Sequence, residues 1–379
     1  MMYWGANAFS IFICKLLKTT LHLYNKQKDT SLCYTIVTFN YQYMKYIFLV
    51  ISFLTCSLAN AQETIEEFVK IGIEFHDAGE YDQAIEAYQK ALSLDENSAL
   101  ANYEIAMTYM YAKQFENSLK HVTKVIDIND QYLIPAYVTK GNCLDALGKS
   151  DQAIKTYNDA LKKIGENYML YYNLALTHYN QGNQKEAEEA VLNAINTNLS
   201  HASSHLLLGY LMNDQKNKVQ SILSLHYFLF LESNSGRSVG ALKLLNSQFS
   251  GNVERTSPTD ISILLSPESM DKKNDFGSAE MMISMLAASN TLEENEGKTQ
   301  EELFISNTES FFKILGELKK KKNKGLWWEY YIPFFYELAK SKHLETYCYY
   351  ITQSNNSIAV DWLDSNGEKI DQLNTWLSK

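Results

Sequence analysis

Two stretches of this sequence share one pattern: FVKIGIEFHDAGEYDQAIEAYQKALSLDENS at 68–98 and YNLALTHYNQGNQKEAEEAVLNAINTN at 172–198. Each has a glycine, Gly79 or Gly182, ahead of a short polar turn. An alanine follows the turn, then an apolar residue four positions later and another alanine three positions after that. Recurrence at a fixed spacing is typical of proteins built by stacking copies of one small structural unit.

The spacing extends to five units of 34 residues at 65–98, 99–132, 134–167, 168–201 and 202–235, with Leu133 inserted between the second and third. Small residues recur at position 8 of the unit: Gly72, Ala106, Gly141, Ala175 and Gly209. They recur at position 20, as Ala84, Ser118, Ala153, Ala187 and Ser221, and at position 27 in three of the first four units, as Ala91, Ala160 and Ala194. Val125 and Phe228 stand there in the second and fifth units.

This pattern resembles the tetratricopeptide repeat (TPR) family, although the family's proline at position 32 is missing throughout. Small residues at positions 8, 20 and 27 let two antiparallel helices approach, and large residues at positions 7, 11 and 24 fill the space between them. The resemblance implies an all-α fold, a TPR-type right-handed α-solenoid. In the fifth unit Phe228 and the apolar stretch HYFLFLE (226–232) predict that the second helix packs against a later part of the chain.

The N-terminal region contains the pattern of a secretory signal peptide, MKYIFLVISFLTCSLANAQ at 44–62. Lys45 supplies the positive charge, the following apolar run is too short to span a bilayer comfortably, and Ala59-Asn60-Ala61 forms a small-residue cleavage site. We interpret 44–61 as the signal peptide and 1–43 as an upstream extension from a misassigned start codon. The alternative is that residues 1–61 stay attached and anchor the protein to a membrane.

Charge and cysteine content narrow the function classes. The chain has 34 basic and 44 acidic residues, and removal of 1–61 makes it more acidic still, so a nucleic-acid partner is not expected. Beyond residue 61 the cysteines are Cys143 and Cys348, which do not form a disulfide framework. We expect an exported protein, periplasmic or extracellular, with no integral membrane span in its mature chain.

The sequence divides into a solenoid (62–248), an irregular connector (249–278) and a helical C-terminal domain of unrecognised family (279–379). Thr299 with Glu302 three positions later predicts a capped helix start. The aromatic cluster at 327–336, WWEYYIPFFY, predicts a core segment because its aromatic residues surround the helix. A binding pocket for a sugar or peptide is the alternative for this cluster.

No arrangement of residues indicates catalysis, a metal or a cofactor. His201 and His205 share a helix face, but His205 stands at a packing position, which favours a structural role. The alternative is an enzyme or ligand-binding activity in the C-terminal domain, with the repeats recruiting its substrate. It requires Glu329, Glu337, His343 or Glu345 to converge near the aromatic cluster.

The resemblance to the TPR family places positions 2, 5, 6, 9, 12 and 13 of the first helix on a concave face. There the sequence offers aromatic, amide and apolar side chains with little positive charge: Tyr103, Met107, Tyr111, Asn142, Tyr172, Asn173, Leu176, Tyr179, Leu206 and Tyr210. Val138 stands where the family's clamp for C-terminal carboxylates has a lysine. We therefore predict a non-catalytic scaffold that binds a protein or peptide partner in this groove. The partner's identity and self-association stay open.

Overall fold

The structure, a computed structural model, describes residues 65–129, 131–249, 253–255, 261–263, 275–290, 292 and 295–378. The signal peptide and upstream extension predicted for 1–61 lie outside these residues. No helix within the described ranges is long and apolar enough to cross a bilayer. The chain forms two compact units, one ending at Glu104 and the other beginning at Ile105.

The described part of the repeat region is a series of helix pairs, each with a first helix (A) and a second helix (B). The helices are α1 (65–77), α2 (Tyr81–Leu94), α3 (Ala99–Tyr111), α4 (Phe115–Ile128), α5 (Leu133–Ala146), α6 (Ser150–Ile164), α7 (Tyr168–Asn180), α8 (Gln184–Thr197), α9 (Ala202–Asp214) and α10 (Lys218–Leu231). From α4 to α10 each helix packs on the next, and the A helix α7 also packs on the A helices α5 and α9. This is the stacking expected of a TPR-type α-solenoid.

The residues at positions 8, 20 and 27 are buried in all five repeats, which confirms the predicted packing code. Ser118 and Ser221 replace alanine at position 20, and their hydroxyls donate to the carbonyl oxygens of Ala106 and Gly209 over 2.7 and 2.9 Å. Both acceptors stand at position 8 of the same repeat. The serines therefore preserve the close helix contact and satisfy their own polar group.

Positions 8 and 24 compensate each other in volume. A Cβ added to Gly72 would lie 2.5 Å from Tyr88, and one added to Gly141 would lie 2.2 Å from Tyr157. In the second and fourth repeats alanine at position 8 faces valine at position 24, as Ala106 with Val122 and Ala175 with Val191. Glycine therefore accompanies a large partner and alanine a smaller one. Close packing of the interior explains this pairing.

The turn between helices A and B uses a left-handed residue at position 15 of every repeat. Gly79, Gly148 and Gly182 have φ values of 78°, 72° and 77°, and Lys113 and Lys216 take the same conformation at 59° and 65°. In each repeat the amide of position 16 donates to the carbonyl of position 11, as Gln114 does to Tyr109 over 2.8 Å. This six-to-one bond closes helix A.

Lys113→Gly and Lys216→Gly are each expected to raise the free energy of unfolding by about 0.5 kcal/mol. The left-handed conformation costs an L-residue about 1–2 kcal/mol, and the larger unfolded-state entropy of glycine offsets part of that gain. Urea unfolding followed by circular dichroism measures the change. Lys120→Gly, at an exposed position inside α4, is the matched control and should lose about 1 kcal/mol. Equal losses at all three sites would contradict the prediction.

Beyond the repeats, the described residues form helices and a pair of short strands. The elements are α11 (Gly236–Phe249), β1 (Val253–Arg255), β2 (Ile261–Ile263), α12 (Gly277–Ser289), α13 (Gln300–Leu318), a π-helical segment (Trp327–Tyr331), α14 (Ile332–Lys340), α15 (Leu344–Thr352), a 3₁₀ turn (Gln353–Asn355), α16 (Ser357–Ser365) and α17 (Gly367–Leu377). The connector was predicted to be irregular, but β1 and β2 pair antiparallel within it. Thr299 and Glu302 form the predicted capping box at the start of α13.

The fifth repeat is buried by the C-terminal helices. Phe228 is fully buried, and α10 packs against α11, α15 and the π-helical segment, as its apolar sequence predicted. One continuous core runs from Leu144 in the third repeat to Leu373 near the C-terminus. The aromatic cluster belongs to this core: Tyr331 and Phe335 are buried, and Phe335 stacks on Phe312 with ring centroids 4.4 Å apart. The prediction of a core segment is confirmed.

Candidate partner-binding surface

Three half-buried tyrosines lie on successive A helices, Tyr172 and Tyr179 on α7 and Tyr210 on α9; we call them the tyrosine wall. The hydroxyl of Tyr179 donates to Asp214 Oδ2 over 2.7 Å. Burial, followed by the bond to Asp214, raises the pKa of Tyr179 to about 12. Its hydroxyl therefore stays protonated at neutral pH and keeps donating to Asp214.

Arg237, at the start of α11, extends this surface. Its guanidinium interacts electrostatically with Tyr172 and Tyr210, and its Nη1 donates to Ser203 Oγ over 2.8 Å. Its Nε donates to Glu232 Oε1 over 3.0 Å, so this exposed positive charge is paired with a carboxylate at the surface. Arg237 was not among the predicted groove residues, because these were assigned only within the five repeats. The signal that could have found it is its place in the first turn of α11, the helix that directly follows the fifth repeat.

His201 completes the end of the surface near Tyr172. The two rings meet edge to face, with centroids 5.0 Å apart, and His201 Nδ1 lies 2.8 Å from Ser204 Oγ. Burial and the neighbouring Arg237 lower the pKa of His201. The surface at neutral pH is therefore aromatic and polar with balanced charge.

Several other predicted groove residues have partners within the protein. Leu206 is 8% exposed and belongs to the core, and Leu176 packs against that core. Asn142 Oδ1 accepts from the Tyr157 hydroxyl over 2.6 Å, and Asn173 Nδ2 donates to the Met169 carbonyl over 2.8 Å. Leu206 is therefore not available to a partner, and the amides of Asn142 and Asn173 already have hydrogen bonds within the protein.

The groove residues predicted in the second repeat are divided between the two units, because the boundary falls between Glu104 and Ile105. Tyr111 is 54% exposed, and the sulfur of half-buried Met107 accepts from Thr139 Oγ1 over 3.3 Å. Tyr103 is half-buried and lies in the first unit. The structure brings the tyrosine wall together around α7, α9 and α11.

The polar residues that a C-terminal enzyme would require do not converge. Glu329, Glu337 and Glu345 are exposed and pair with Lys324, Lys340 and Lys369 at 3.1, 3.0 and 3.1 Å. His343 is buried instead, its ring 6.0 Å from that of Trp376. These residues stabilise the surface and the core at separate points.

In the pair His201 and His205, which was considered as a metal site, His205 has a structural role. Its Nδ1 lies 2.5 Å from the Tyr331 hydroxyl, and its Nε2 lies 2.9 Å from the Leu199 carbonyl. Both ring nitrogens are therefore already engaged. Among the described residues, no group of three or more histidine, cysteine or carboxylate side chains could hold a metal ion.

Comparison with known proteins supports the repeat assignment. Family models described as TPR repeat and tetratricopeptide repeat match residues 72–111 and 138–203. The TPR repeat-containing protein MJ1428 of Methanocaldococcus jannaschii is 28% identical over 124 residues, which make up 33% of this chain and 22% of that relative. BBSome complex member BBS4 of Bos taurus is 23% identical over 210 residues, covering 51% of this chain and 40% of its own length.

Among solved structures, the TPR protein TTC0263 of Thermus thermophilus aligns with 16% identity and a TM-score of 0.41. The alignment covers 48% of this chain and 98% of that one. The chain spans less than half the length of the curated relatives named above. The family models thus assign the matched helix pairs to the tetratricopeptide repeats, a class that binds proteins or peptides.

Proposed function

We propose that this protein is an exported, non-catalytic scaffold that holds a protein or peptide partner against the tyrosine wall on the A helices of its repeats. The observation that carries the proposal is the position of Tyr172, Tyr179 and Tyr210, half-buried on the A helices α7 and α9, with Tyr179 bonded to Asp214 and with Arg237 interacting electrostatically with the other two. Aromatic side chains held in place by hydrogen bonds supply a large contact area at low entropic cost. The surface favours an extended or helical peptide.

Two further observations support this class of function. TPR proteins bind proteins or peptides, and the bovine relative is named as a member of a complex. The acidic net charge disfavours nucleic acid. The signal peptide pattern at 44–61 supports export to the periplasm or the exterior.

The test uses the full-length chain in a Gram-negative host, with a photo-crosslinking benzoylphenylalanine in place of Tyr210. We expect irradiation to give a discrete heavier species in the periplasmic or secreted fraction, with an N-terminus at Gln62. Lys155, exposed on the B helix α6, is the matched control position and should give no adduct. Mass spectrometry of the adduct identifies the partner, and a second copy of this chain would identify self-association.

A further pair of variants tests the wall itself. Tyr172→Ala combined with Tyr179→Ala should reduce the Tyr210 adduct at least tenfold, because both neighbouring aromatic surfaces are removed. Circular dichroism must show unchanged helix content. An adduct of equal yield at Lys155, or one that survives the double substitution, would overturn the groove assignment. A chain retained in the cytoplasm with residues 1–61 attached would overturn export.

A further inference from the structure

We infer that a lysine-rich loop, 319–324, docks this protein onto a phospholipid surface with anionic headgroups. The loop lies between α13 and the π-helical segment, and its sequence KKKKNK has five lysines in six positions. All five lysines are exposed. This inference goes beyond the function proposed above and does not depend on it. We call the segment the basic loop.

The backbone of the basic loop is held from inside the protein by Asn323. This residue is 8% exposed, and its Oδ1 accepts from the Lys320 backbone amide over 2.9 Å. Its own backbone amide donates to the Lys320 carbonyl over 3.0 Å, and its Nδ2 donates to Asp275 Oδ2 over 3.2 Å. The loop is therefore a fixed turn, with Lys321 and Lys322 as its two central residues.

Most of the positive charge of the basic loop is not compensated within the described part of the protein. Lys324 pairs with Glu329 at 3.1 Å, and Lys319 interacts electrostatically with the same carboxylate. The three lysines at 320–322 have no ion pair among the described residues. The helix macrodipole explains a cation at Lys319, the C-cap of α13, but its effect falls off within the last turn. Three adjacent charges therefore attract an anion from outside the protein.

The composition of the basic loop favours phosphate over carboxylate. Lysine binds phosphate as a point charge on a flexible stem, whereas paired hydrogen bonding to a carboxylate favours the planar guanidinium of arginine. The basic loop contains no arginine. Anionic phospholipids present many phosphates in one plane, and clusters of about four to eight basic residues are typical of proteins that bind them.

An aromatic residue next to the loop supports a lipid surface rather than a soluble phosphate. Trp327 begins the π-helical segment, three positions after Lys324, and is half-buried. Its ring stacks on that of Tyr331, with centroids 5.3 Å apart, so its orientation is fixed. Tryptophan is enriched where lipid headgroups meet the acyl chains. Lysine and tryptophan also occur together on segments that lie in the plane of a membrane interface.

The acidic charge of the whole chain restricts this contact to the basic loop. The chain has 34 basic and 44 acidic residues, so the rest of its surface is repelled by an anionic bilayer. The Debye length is about 8 Å at physiological ionic strength, so carboxylates farther than that from the headgroups have little effect on the contact. Binding should therefore be local and sensitive to salt.

Vesicle flotation with the full-length chain tests the inference. Vesicles of phosphatidylcholine alone measure any binding that does not depend on charge, including binding through the apolar stretch at 46–54. Vesicles that also contain phosphatidylglycerol should bind the protein at least about tenfold more tightly, and high salt should abolish this gain. Soluble glycerol phosphate in excess should not displace the protein, because one phosphate cannot replace several lipids bound at once.

A triple substitution locates the binding. Lys320→Gln, Lys321→Gln and Lys322→Gln together should remove most of the gain from phosphatidylglycerol, at least about tenfold in affinity. The three side chains are exposed and unpaired among the described residues, so circular dichroism should show unchanged helix content.

The matched control combines Lys149→Gln, Lys155→Gln and Lys185→Gln, at exposed positions of the repeats. It loses the same net charge and should keep the gain. Tyr172→Ala with Tyr210→Ala should also keep it, which separates this inference from the proposed function.

Four results would overturn the inference. One is equal binding to the two kinds of vesicle, and another is an equal loss in the control and the triple variant of the loop. Displacement by glycerol phosphate would indicate a site for a soluble phosphate. Tighter binding to soluble polyglutamate than to the anionic vesicles, or association of copies that the triple variant abolishes, would indicate an acidic protein surface as the partner.

Discussion

Gly141→Ala is expected to lower the free energy of unfolding by about 3 kcal/mol, near the upper end of the cost of overpacking a core. The added methyl carbon would lie 2.2 Å from Cζ and 2.3 Å from Cε1 of Tyr157. Tyr157 is fully buried, and its hydroxyl donates to Asn142, so the ring has no free space and loses a hydrogen bond if it moves. Urea unfolding monitored by circular dichroism gives the change.

The control for this prediction is Gly367→Ala, where an added Cβ meets nothing within 4 Å. It should change stability by less than about 0.5 kcal/mol. The compensating pair Gly141→Ala with Tyr157→Val copies the pairing seen in the second and fourth repeats. It should cost at least about 1.5 kcal/mol less than the sum of the two single substitutions. Simple additivity of the two would show that the volume pairing between positions 8 and 24 is not energetically coupled.

The repeat region could be predicted because its packing code is local and periodic. Small residues at positions 8 and 20 recur in phase, and each meets a residue within its own repeat, as Ser118 meets Ala106. The volume pairing of Gly141 with Tyr157 was visible in the sequence as well, in the alternation of glycine–tyrosine with alanine–valine. It becomes evident once the contact distances show that the two positions touch.

The contacts beyond the fifth repeat could not be predicted in this way. His205 and Tyr331 are separated by 126 positions, and no period relates them. Repeat positions place Tyr172 and Tyr210 half-buried on the A helices α7 and α9, and their role in binding a partner stays a prediction. The repeat positions did not indicate that Leu206 would be buried in the core.

Acidification from pH 6.5 to pH 4 is expected to destabilise the protein through histidines whose pKa values are lowered by burial, of which His205 and His226 are fully buried. Burial lowers their pKa values to about 4 and about 3, from 6.5 in the unfolded chain. Their contribution is fully present above pH 6.5, and it is lost as the pH falls toward those folded-state values, because only the unfolded chain takes up the protons. Each histidine adds a slope of up to about 1.4 kcal/mol per pH unit in this window.

His226→Phe provides the decisive comparison. The ring lies among Phe312, Phe335 and Tyr347, and its Nε2 is buried without a hydrogen-bond partner in the described part of the chain. The Tyr347 hydroxyl lies 3.1 Å from His226 Nδ1 and donates to the backbone carbonyl of residue 226 over 3.1 Å. The substitution keeps this carbonyl, so the hydroxyl stays satisfied as a donor. The variant should therefore have a shallower pH slope than the native chain and be more stable than it at pH 5.

Urea titrations between pH 7.5 and 4.5, followed by tryptophan fluorescence, measure this slope, because Trp328 is buried in the same core. Glu232 has its pKa lowered by its bond to Arg237, so its contribution is lost below the window in which the histidines act. An equal slope in the native chain and in His226→Phe would mean that this histidine is protonated or solvated within the fold, contrary to its burial among aromatic rings.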